Sequence, residues 1–227
     1  MLQALLQLFF PELCAGCSRI LATNEAILCL NCRHDIPFTH HHLLSENEAF
    51  LKFYGRTPVE SVQCLMYYRD EGAVRSSIHK LKYKSQQHIG TLFGNWFCAD
   101  ARRLSLIASA DFIVPVPLHP KKFKKRGYNQ VTTFAETISQ KTEVPLTDAL
   151  LFRNFNTSTQ TRKNRLLRSQ LKTELFECHD NPEFYNKHFV IVDDVLTTGA
   201  TLEACSRAML KLPGSRISIV CMAYSQS

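Results

Sequence analysis

The sequence predicts an α/β protein: a mainly parallel sheet flanked by helices, with a small cysteine-rich module at the N-terminus. From about residue 59 onward, short apolar strands alternate with amphipathic helical segments, which favours a parallel sheet with helices on its faces. Before that point the chain carries two C-x-x-C pairs and few long apolar segments. The length, 227 residues, suits one medium domain plus such a module. We therefore expect two units, residues 1–58 and residues 59–227.

Hydrophobic periodicity places the elements of the second unit. Four apolar segments are predicted to be strands: 62–68, 111–117, 188–193 and 216–224. Four segments with apolar residues at helical spacing are predicted to be helices: 72–84, 86–107, 129–141 and 199–211. Parallel sheets of this class bind ligands outside the carboxyl ends of their strands. Functional residues should therefore follow directly after strands.

The N-terminal module carries four cysteines in two C-x-x-C pairs with eleven residues between them: Cys14, Cys17, Cys29 and Cys32. Two such pairs supply four thiolates, the ligand set of a tetrahedral structural Zn²⁺ site. A segment this short can hardly build its own core, so the metal would supply its folding energy. Free thiols or a redox pair are the alternative. We expect the other five cysteines to be core thiols, and the histidines at 40–42 to form a solvated loop.

The net charge and the N-terminal segment indicate the class of ligand and the cellular compartment. The net charge of +7 and the pI of about 9.0 favour phosphorylated substrates or nucleic acid, although an ordinary basic surface has the same composition. The first residues, M-L-Q-A-L-L-Q-L-F-F-P, lack the basic region and the cleavage site of a signal peptide. No stretch approaches the roughly 20 apolar residues that span a bilayer. These patterns predict a cytoplasmic protein.

The segment V-I-V-D-D-V-L-T-T-G-A-T-L (190–202) is the most specific functional signal. Asp193 and Asp194 fall at the carboxyl end of a predicted strand, and small residues then lead into a helix: Thr197, Thr198, Gly199, Ala200 and Thr201. Backbone N–H groups of such a turn, with the helix N-terminus, form a cradle for an anion. The two carboxylates would accept hydrogen bonds from sugar hydroxyls, or contact a Mg²⁺ ion that the ligand holds. A ribose phosphate satisfies both halves; a capped helix with solvated acids is the alternative.

This segment resembles the phosphoribosyl pyrophosphate loop of type I phosphoribosyltransferases. The resemblance implies that the ligand is 5-phosphoribosyl-1-pyrophosphate with Mg²⁺. It implies that Asp193 and Asp194 hold the ribose 2′- and 3′-hydroxyls, and that residues 197–201 surround the 5′-phosphate. Purine-salvage members carry an aspartate where this chain has Thr197. That departure disfavours a purine acceptor.

A second signal is V-P-V-P-L-H-P-K-K-F-K-K-R-G-Y-N-Q (114–130). Its crowded lysines predict a basic turn that meets a polyanion, or simply a solvated loop. Arg126 is the candidate for pyrophosphate, because arginine pairs bidentately with phosphate. The P-V-P-L-H lead and the R-G-Y-N-Q signature resemble the ComF-type (competence protein F, GntX-like) phosphoribosyltransferases. I-H-K-L-K-Y-K (78–84) resembles a family segment ending in K-Y-x-G, although Lys84 and Ser85 replace the glycine region. Lys82 is therefore a candidate near the substrate; an ordinary helix-surface lysine is the alternative.

The ComF resemblance extends from Cys14 to the last strand. It implies an N-terminal zinc-ribbon-like module and a role in DNA uptake during natural competence. T-S-T-Q-T-R-K-N-R-L-L-R (157–168) resembles the family's flexible Thr/Gln region, with Gln160, Arg168 and Phe176 at matching spacing and Leu167 and Leu171 departing from the pattern. A polar segment of this kind often covers an active site.

The expected function is transfer of the phosphoribosyl group to an unidentified acceptor, either a nitrogenous base or ammonia. The main alternative is a non-catalytic competence factor that binds single-stranded DNA through the zinc module and basic patches, with Phe123 and Tyr128 among the charges. A regulator without catalysis is a weaker third possibility. The expected partners are phosphoribosyl pyrophosphate and, on the alternative reading, single-stranded DNA and other competence proteins.

Overall fold

A computed structural model of the chain describes residues 10–154 and 175–226. Its central sheet contains four parallel strands in the order β1-β6-β5-β2. These strands are β1 (Ser61–Tyr68), β2 (Phe112–Pro115), β5 (His188–Leu196) and β6 (Arg216–Ser225). In a separate two-stranded sheet, β3 (Leu151–Arg153) pairs antiparallel with β4 (Phe176–Cys178). The predicted α/β class with a parallel sheet is confirmed.

Eight α-helices lie in the described ranges. They are α1 (Leu30–His34), α2 (Glu48–Leu51), α3 (Ala73–Tyr83), α4 (His88–Cys98), α5 (Ala101–Ala108), α6 (Pro120–Arg126), α7 (Thr132–Thr142) and α8 (Ala200–Met209). Within those ranges, none of these helices combines the length and the apolar character that crossing a membrane requires.

The sheet separates two cores because successive side chains of a strand point to opposite faces. On β5, Val190 and Val192 face a core shared with α3, α4 and α7, whereas Ile191 faces a core shared with α8. All three side chains are fully buried. Because helices cover both faces, β5 is apolar from Phe189 to Val192, up to the acid pair near its carboxyl end.

Two predicted elements have different bounds from those the periodicity indicated. The helix expected over 86–107 is two helices, because the Asp100 side chain accepts hydrogen bonds from the backbone N–H groups of Arg102 and Arg103 and caps a new helix, α5. The strand expected to end at residue 193 continues to Leu196, which pairs with Tyr224 of β6. Both acids therefore lie within the strand, whereas the prediction had Asp193 as its last residue and Asp194 directly after it.

The basic turn predicted after β2 is a helix, α6. Proline occupies its first turn, the His119 side chain accepts the Lys121 N–H, and Gly127 ends it in the left-handed region at φ 79°. The two-stranded sheet of β3 and β4 was not predicted, since three-residue strands give no usable periodicity. Of the proposed flexible region, Gln160, Leu167, Arg168 and Leu171 lie outside the described residues, and Phe176 is buried in β4.

The N-terminal segment packs against the sheet through the edge strand β1. The Thr39 N–H donates to the Leu65 carbonyl (3.0 Å), and the Tyr67 N–H donates to the Pro37 carbonyl (2.8 Å). The histidine run that was predicted to be solvated is mostly buried. His41 contacts Glu48, and His42 lies between Asp100 and Arg103. The three side chains point in different directions, and those of His41 and His42 point into the protein.

Candidate functional site

The carboxyl edge of the sheet forms a phosphate-sized concavity where β5 leads into α8. A cavity of about 50 Å³ is lined by Asp193 and by residues 195–202. Gly199 adopts φ 77°, a left-handed conformation that favours glycine, and a Cβ there would lie 3.3 Å from the Phe53 ring. The tight turn leaves the N-terminus of α8 open toward the cavity, which is the geometry of an anion-binding helix start.

Arg56 supports the loop from behind. Its guanidinium donates to the Thr198 carbonyl (3.0 Å) and forms an ion pair with Glu203 in the first turn of α8. Glu203 also pairs with Arg207 at 2.7 Å. Phe53 and Arg56 therefore brace the turn from a segment about 140 residues earlier in the chain. Nothing in the sequence around Arg56 signalled this role.

Asp194 lies at the centre of a hydrogen-bonded network. It is 7% exposed, and its two carboxylate oxygens accept from Lys82 Nζ (2.8 Å) and from Gln130 Nε2 (2.6 Å). Lys82 lies in the last turn of α3 and Gln130 precedes α7, so Asp194 receives contacts from two other segments of the chain. Because a buried carboxylate is costly unless it is paired, these contacts make an ionised Asp194 tolerable.

Asp193 differs from its neighbour because, within the described part of the chain, no cation contacts it directly. It is half-buried, and its Oδ1 accepts the Asp194 N–H at 2.8 Å. Burial, followed by the adjacent Asp194 charge, raises the pKa of Asp193 to about 7. The pair therefore contains one carboxylate held by partners and one whose ionisation changes near neutral pH.

A second layer surrounds this network. The Arg126 guanidinium donates to Gln130 Oε1 (2.5 Å) and stacks over the Tyr83 ring with 4.8 Å to the ring centroid. The Tyr128 hydroxyl donates to the Leu81 carbonyl, and the Asn129 amide donates to the Val116 carbonyl. These contacts tie the R-G-Y-N-Q segment to α3 and to the end of β2.

The structure brings most of the predicted residues to one edge. Asp193, Asp194 and Lys82 lie together, residues 197–201 line the adjacent cavity, and Arg126 reaches Asp194 through Gln130. The side chains of residues 121–125 project into solvent instead. The turn at Ser85, where the family pattern places glycine, has φ 56°, which explains why that position favours glycine.

Sequence reasoning missed three contributors to this site. Gln130 belonged to a quoted signature but was given no role, and Tyr83 was noted only as part of a matching segment. Arg56 was not singled out at all. For Gln130 the quoted R-G-Y-N-Q signature was the signal, and its contact with Arg126 is made across the end of α6, because Gly127 terminates that helix. No local pattern indicates that Arg56 meets residue 198.

The four predicted metal ligands form a separate cluster at the N-terminus. The sulfur atoms of Cys14, Cys17, Cys29 and Cys32 all lie within 4.8 Å of one another, and those of Cys17 and Cys29 are 3.7 Å apart. Zinc–sulfur bonds of about 2.3 Å in a tetrahedron place sulfurs about 3.8 Å apart. A Cβ on Gly16 would lie 2.7 Å from Cys32 Sγ, so the first knuckle needs glycine. The donor set and spacing fit a structural Zn²⁺ ion.

Hydrogen-bond donors lower the pKa of two of the four cysteines, whereas burial raises the pKa of Cys32 above its ordinary range. Burial acts to raise the pKa of Cys14, but backbone N–H groups of Cys29, Cys17 and Gly16 lower it overall. The Arg19 guanidinium, 3.3 Å from Cys17 Sγ, lowers the pKa of Cys17 to about 6. Metal binding needs deprotonated cysteines, so these donors suit a metal site.

Comparisons with known proteins show which family the C-terminal part of the chain resembles. Residues 132–227 match the model of the phosphoribosyl transferase domain. This range begins with α7 and includes the acid pair and residues 197–201, so the C-terminal part of the chain is similar to that domain.

Particular relatives extend the likeness to the N-terminal part. The chain is 27% identical over 216 residues to the DNA utilization protein YhgH of Escherichia coli K12, which covers 92% of this chain and 89% of that protein. It is 32% identical over 123 residues to competence protein F of Haemophilus influenzae, 53% of each. These matches confirm the resemblance to the ComF-type proteins. Among solved structures, an adenine phosphoribosyltransferase from Leishmania tarentolae has a TM-score of 0.36 at 10% identity, over 84% of this chain and 94% of that one.

Proposed function

We propose that the protein binds 5-phosphoribosyl-1-pyrophosphate with Mg²⁺ at the carboxyl edge of the sheet and transfers its phosphoribosyl group to an acceptor. The observation that carries this proposal is the convergence of the acid pair and the glycine turn. Asp193 and Asp194 lie beside a small cavity at the start of α8, so one face accepts hydroxyl donors while the other donates to an anion.

Each half of the site has a defined task. Residues 197–201 donate backbone N–H and hydroxyl groups to the 5′-phosphate, and the acid pair accepts from the ribose 2′- and 3′-hydroxyls. Asp194 is already oriented by Lys82 and Gln130, so its free lone pairs point along fixed directions. Fixing the ribose in this way places its anomeric carbon at a defined position before reaction.

The second task of the site is to stabilise the negative charge that develops on the leaving group. When the anomeric C–O bond breaks, positive charge develops on the ribose and negative charge on pyrophosphate. Mg²⁺ supplies Lewis-acid stabilisation when it is bound with the substrate. Arg126 is our candidate for the pyrophosphate contact, because its stacking on Tyr83 and its bond to Gln130 hold a guanidinium at the rim of the site.

In this proposal the N-terminal cluster holds one Zn²⁺ ion that stabilises the fold. Four thiolates leave no open coordination position, so the ion has no substrate to bind. The names of the relatives, a DNA utilization protein and a competence protein, support a role for this chain in the uptake or use of DNA.

The test of the binding site is calorimetry with the Mg²⁺ complex of phosphoribosyl pyrophosphate. The variants Asp193→Asn and Asp194→Asn keep the side-chain shape but remove the charge. We expect each to weaken binding at least about tenfold, since a hydrogen bond to a charged group contributes about 1.5–3 kcal/mol. Asp148→Asn, which changes an exposed carboxylate outside the site, is the matched control. Unchanged binding in both site variants would contradict the assignment.

One observation favours the second candidate, a DNA-binding factor. The solvent face of α6 carries four lysines, and Phe123 stands 51% exposed among them. Aromatic side chains among cations are typical of surfaces on which single-stranded bases stack. Binding of a single-stranded oligonucleotide that falls steeply with salt, and is lost in Phe123→Ala, would support this function.

A further inference from the structure

A second, larger cavity adjoins the contact between Lys82 and Asp194 and shares no lining residue with the cavity at the start of α8. Its volume is about 510 Å³, within the roughly 300–1,000 Å³ of small-molecule sites. One side is the exposed face of α3, where Arg75, His79 and Tyr83 follow at intervals of four residues. Tyr68, at the carboxyl end of β1, and Ser18, from the cysteine module, complete the walls.

Lys82 connects this cavity to the edge of the sheet where the acid pair and residues 197–201 lie. Its side chain lines the cavity, and its Nζ lies 2.8 Å from Asp194 Oδ1. A ligand in contact with Lys82 therefore lies beside the carboxylate that we assign to the ribose. The phosphate cavity, at about 50 Å³, is too small to hold a second reactant. The larger cavity adjoins the acid pair through Lys82 and is of sufficient size.

The lining of the cavity is cationic. Among the residues that the structure describes, the lining contains Arg75, Lys80 and Lys82, and no carboxylate. Lys82 is balanced by Asp194, whereas Lys80 donates to the Cys14 carbonyl and the Ser18 hydroxyl, and Arg75 donates to the Asp70 carbonyl. Two positive charges are thus held in place by neutral oxygens, which leaves an attraction for an anion.

The lining also offers flat surfaces. The rings of His79 and Tyr83 lie 4.9 Å apart, both residues are exposed, and Arg126 stacks over Tyr83. In residues 10–154 and 175–226, neither the His79 nitrogens nor the Tyr68 hydroxyl has a hydrogen-bond partner. Ring faces and unused polar atoms suit a planar ligand with hydrogen-bonding edges.

We propose that this cavity is the acceptor site, and that the acceptor is a planar nitrogen heterocycle bearing a carboxylate. The carboxylate pairs with Arg75, and the ring lies against His79 and Tyr83. The ring nitrogen's lone pair then forms the bond to the anomeric carbon, the C–O bond to pyrophosphate breaks, and its electron pair leaves with pyrophosphate. Any proton on that nitrogen passes to water. This inference rests on the proposed phosphoribosyl transfer.

The cavity gives the cysteine module a place in the active site. Lys80 fastens Cys14 and Ser18 to α3, so the module forms one wall of the acceptor space. A structural zinc site there would fix the shape of that wall without taking part in the chemistry.

The experiment measures pyrophosphate release by the full-length, zinc-loaded protein with matched acceptor pairs: orotate against uracil, and nicotinate against nicotinamide. Each pair differs chiefly in the carboxylate. We expect turnover with at least one carboxylated member and at least about tenfold less with its neutral partner, the loss expected for one charged hydrogen bond. Equal rates within both pairs, or no turnover with either carboxylated ring, would overturn the inference.

Variants of Arg75 locate the contact. Arg75→Gln should lower kcat/KM for the carboxylated acceptor about ten- to a hundredfold, and Arg75→Lys should recover part of it, while the Kd for Mg²⁺-phosphoribosyl pyrophosphate changes less than about twofold. Arg102→Gln, an exposed arginine outside the cavity, is the matched control. If Arg75→Gln affects acceptor and phosphoribosyl pyrophosphate equally, the cavity is not an acceptor site.

The same measurements separate this inference from the function beneath it. If the unmodified protein does not bind phosphoribosyl pyrophosphate, both the proposed function and the acceptor site are contradicted. Binding without a preference for carboxylated rings contradicts only the acceptor site. The last measurement is the binding of a single-stranded oligonucleotide to the unmodified protein and to Arg75→Gln. If the variant binds the oligonucleotide more weakly and its acceptor turnover is unchanged, the cavity binds a nucleic-acid strand, and the inference of a small-molecule acceptor is wrong.

Discussion

The cysteine cluster and the candidate phosphate edge, which comprises Asp193, Asp194 and residues 197–201 with their partners, are both polar sites. They differ in how far apart along the chain their residues lie. The four cysteines fall within nineteen residues, from Cys14 to Cys32. The network around Asp194 draws Lys82 from 112 residues away and Gln130 from 64 residues away. The first site therefore depends on local spacing, and the second depends on the whole sheet being formed.

This difference has an energetic consequence. The cysteine module lacks a large core of its own, so the metal and its four ligands are expected to hold it together. The phosphate edge rests on a sheet whose strands are already buried on both faces. Damage to the first site should thus appear mainly as lost stability, and damage to the second mainly as lost binding.

Removing the metal ligands should have the largest effect on stability. Cys14→Ser combined with Cys17→Ser should abolish zinc binding and lower the melting temperature by about 10 °C or more, because structural zinc contributes many kcal/mol to small modules. Metal analysis and a thermal melt measure both. Cys178→Ser, outside the cluster, is the control and should keep one equivalent of zinc. Less than about half an equivalent in the unmodified protein would contradict the zinc site.

Breaking the ion pair beneath the phosphate edge should have the next largest effect. Lys82→Met leaves Asp194 buried without its cation and should lower the free energy of unfolding by about 3 kcal/mol. Adding Asp194→Asn should recover much of that loss, since no charge is then left unpaired. Urea unfolding of the two single variants and the double variant gives the coupling. Strictly additive losses would show that the pair is not coupled.

Asp193 should make stability depend on pH. Its pKa is raised in the folded state to about 7, so between about pH 4 and pH 7 the folded protein holds more protons than the unfolded chain. The free energy of unfolding should therefore fall as the pH rises through that window, by at most about 1.4 kcal/mol per pH unit. Asp193→Asn should flatten this part of the profile. An identical slope in the variant would place the titration on another group.

The phosphate turn should show the smallest effect on stability. Gly199→Ala adds a side chain in the left-handed region and 3.3 Å from the Phe53 ring, so it should cost about 1–2 kcal/mol and weaken phosphate binding. Gly127→Ala has nearly the same φ, 79°, but meets nothing within 4 Å, so it measures the backbone strain alone. Equal losses of stability in the two variants would mean that the contact with Phe53 contributes nothing.

Much of the candidate site was predictable from local patterns. The order of apolar strand, acid pair and hydroxyl-glycine turn placed residues 193–201 correctly at the end of a parallel strand. The paired cysteines likewise indicated a cluster that the structure closes to within 4.8 Å. Both signals are local, because the chemistry of each fits inside one strand end or one pair of turns.

Other features were not predictable because no local pattern encodes them. His41 and His42 were expected in solvent. A run of polar residues does not reveal that neighbouring elements supply partners such as Glu48 and Arg103. The basic turn at residues 120–126 is a helix because its caps, His119 and Gly127, outweigh the repulsion of its lysines. The strands β3 and β4 are too short to give a period.

The sequence by itself determined the parallel sheet, the cysteine spacing and the acid pair at the strand end, since periodicity and short-range spacing carry that information. Only the tertiary structure decided which groups complete each site. It alone placed Lys82 and Gln130 on Asp194, Arg56 behind the phosphate turn, and the face of α3 opposite the cysteine module. The physical reason is that contacts between distant segments form when packed layers bring them together, and no single segment records its neighbours.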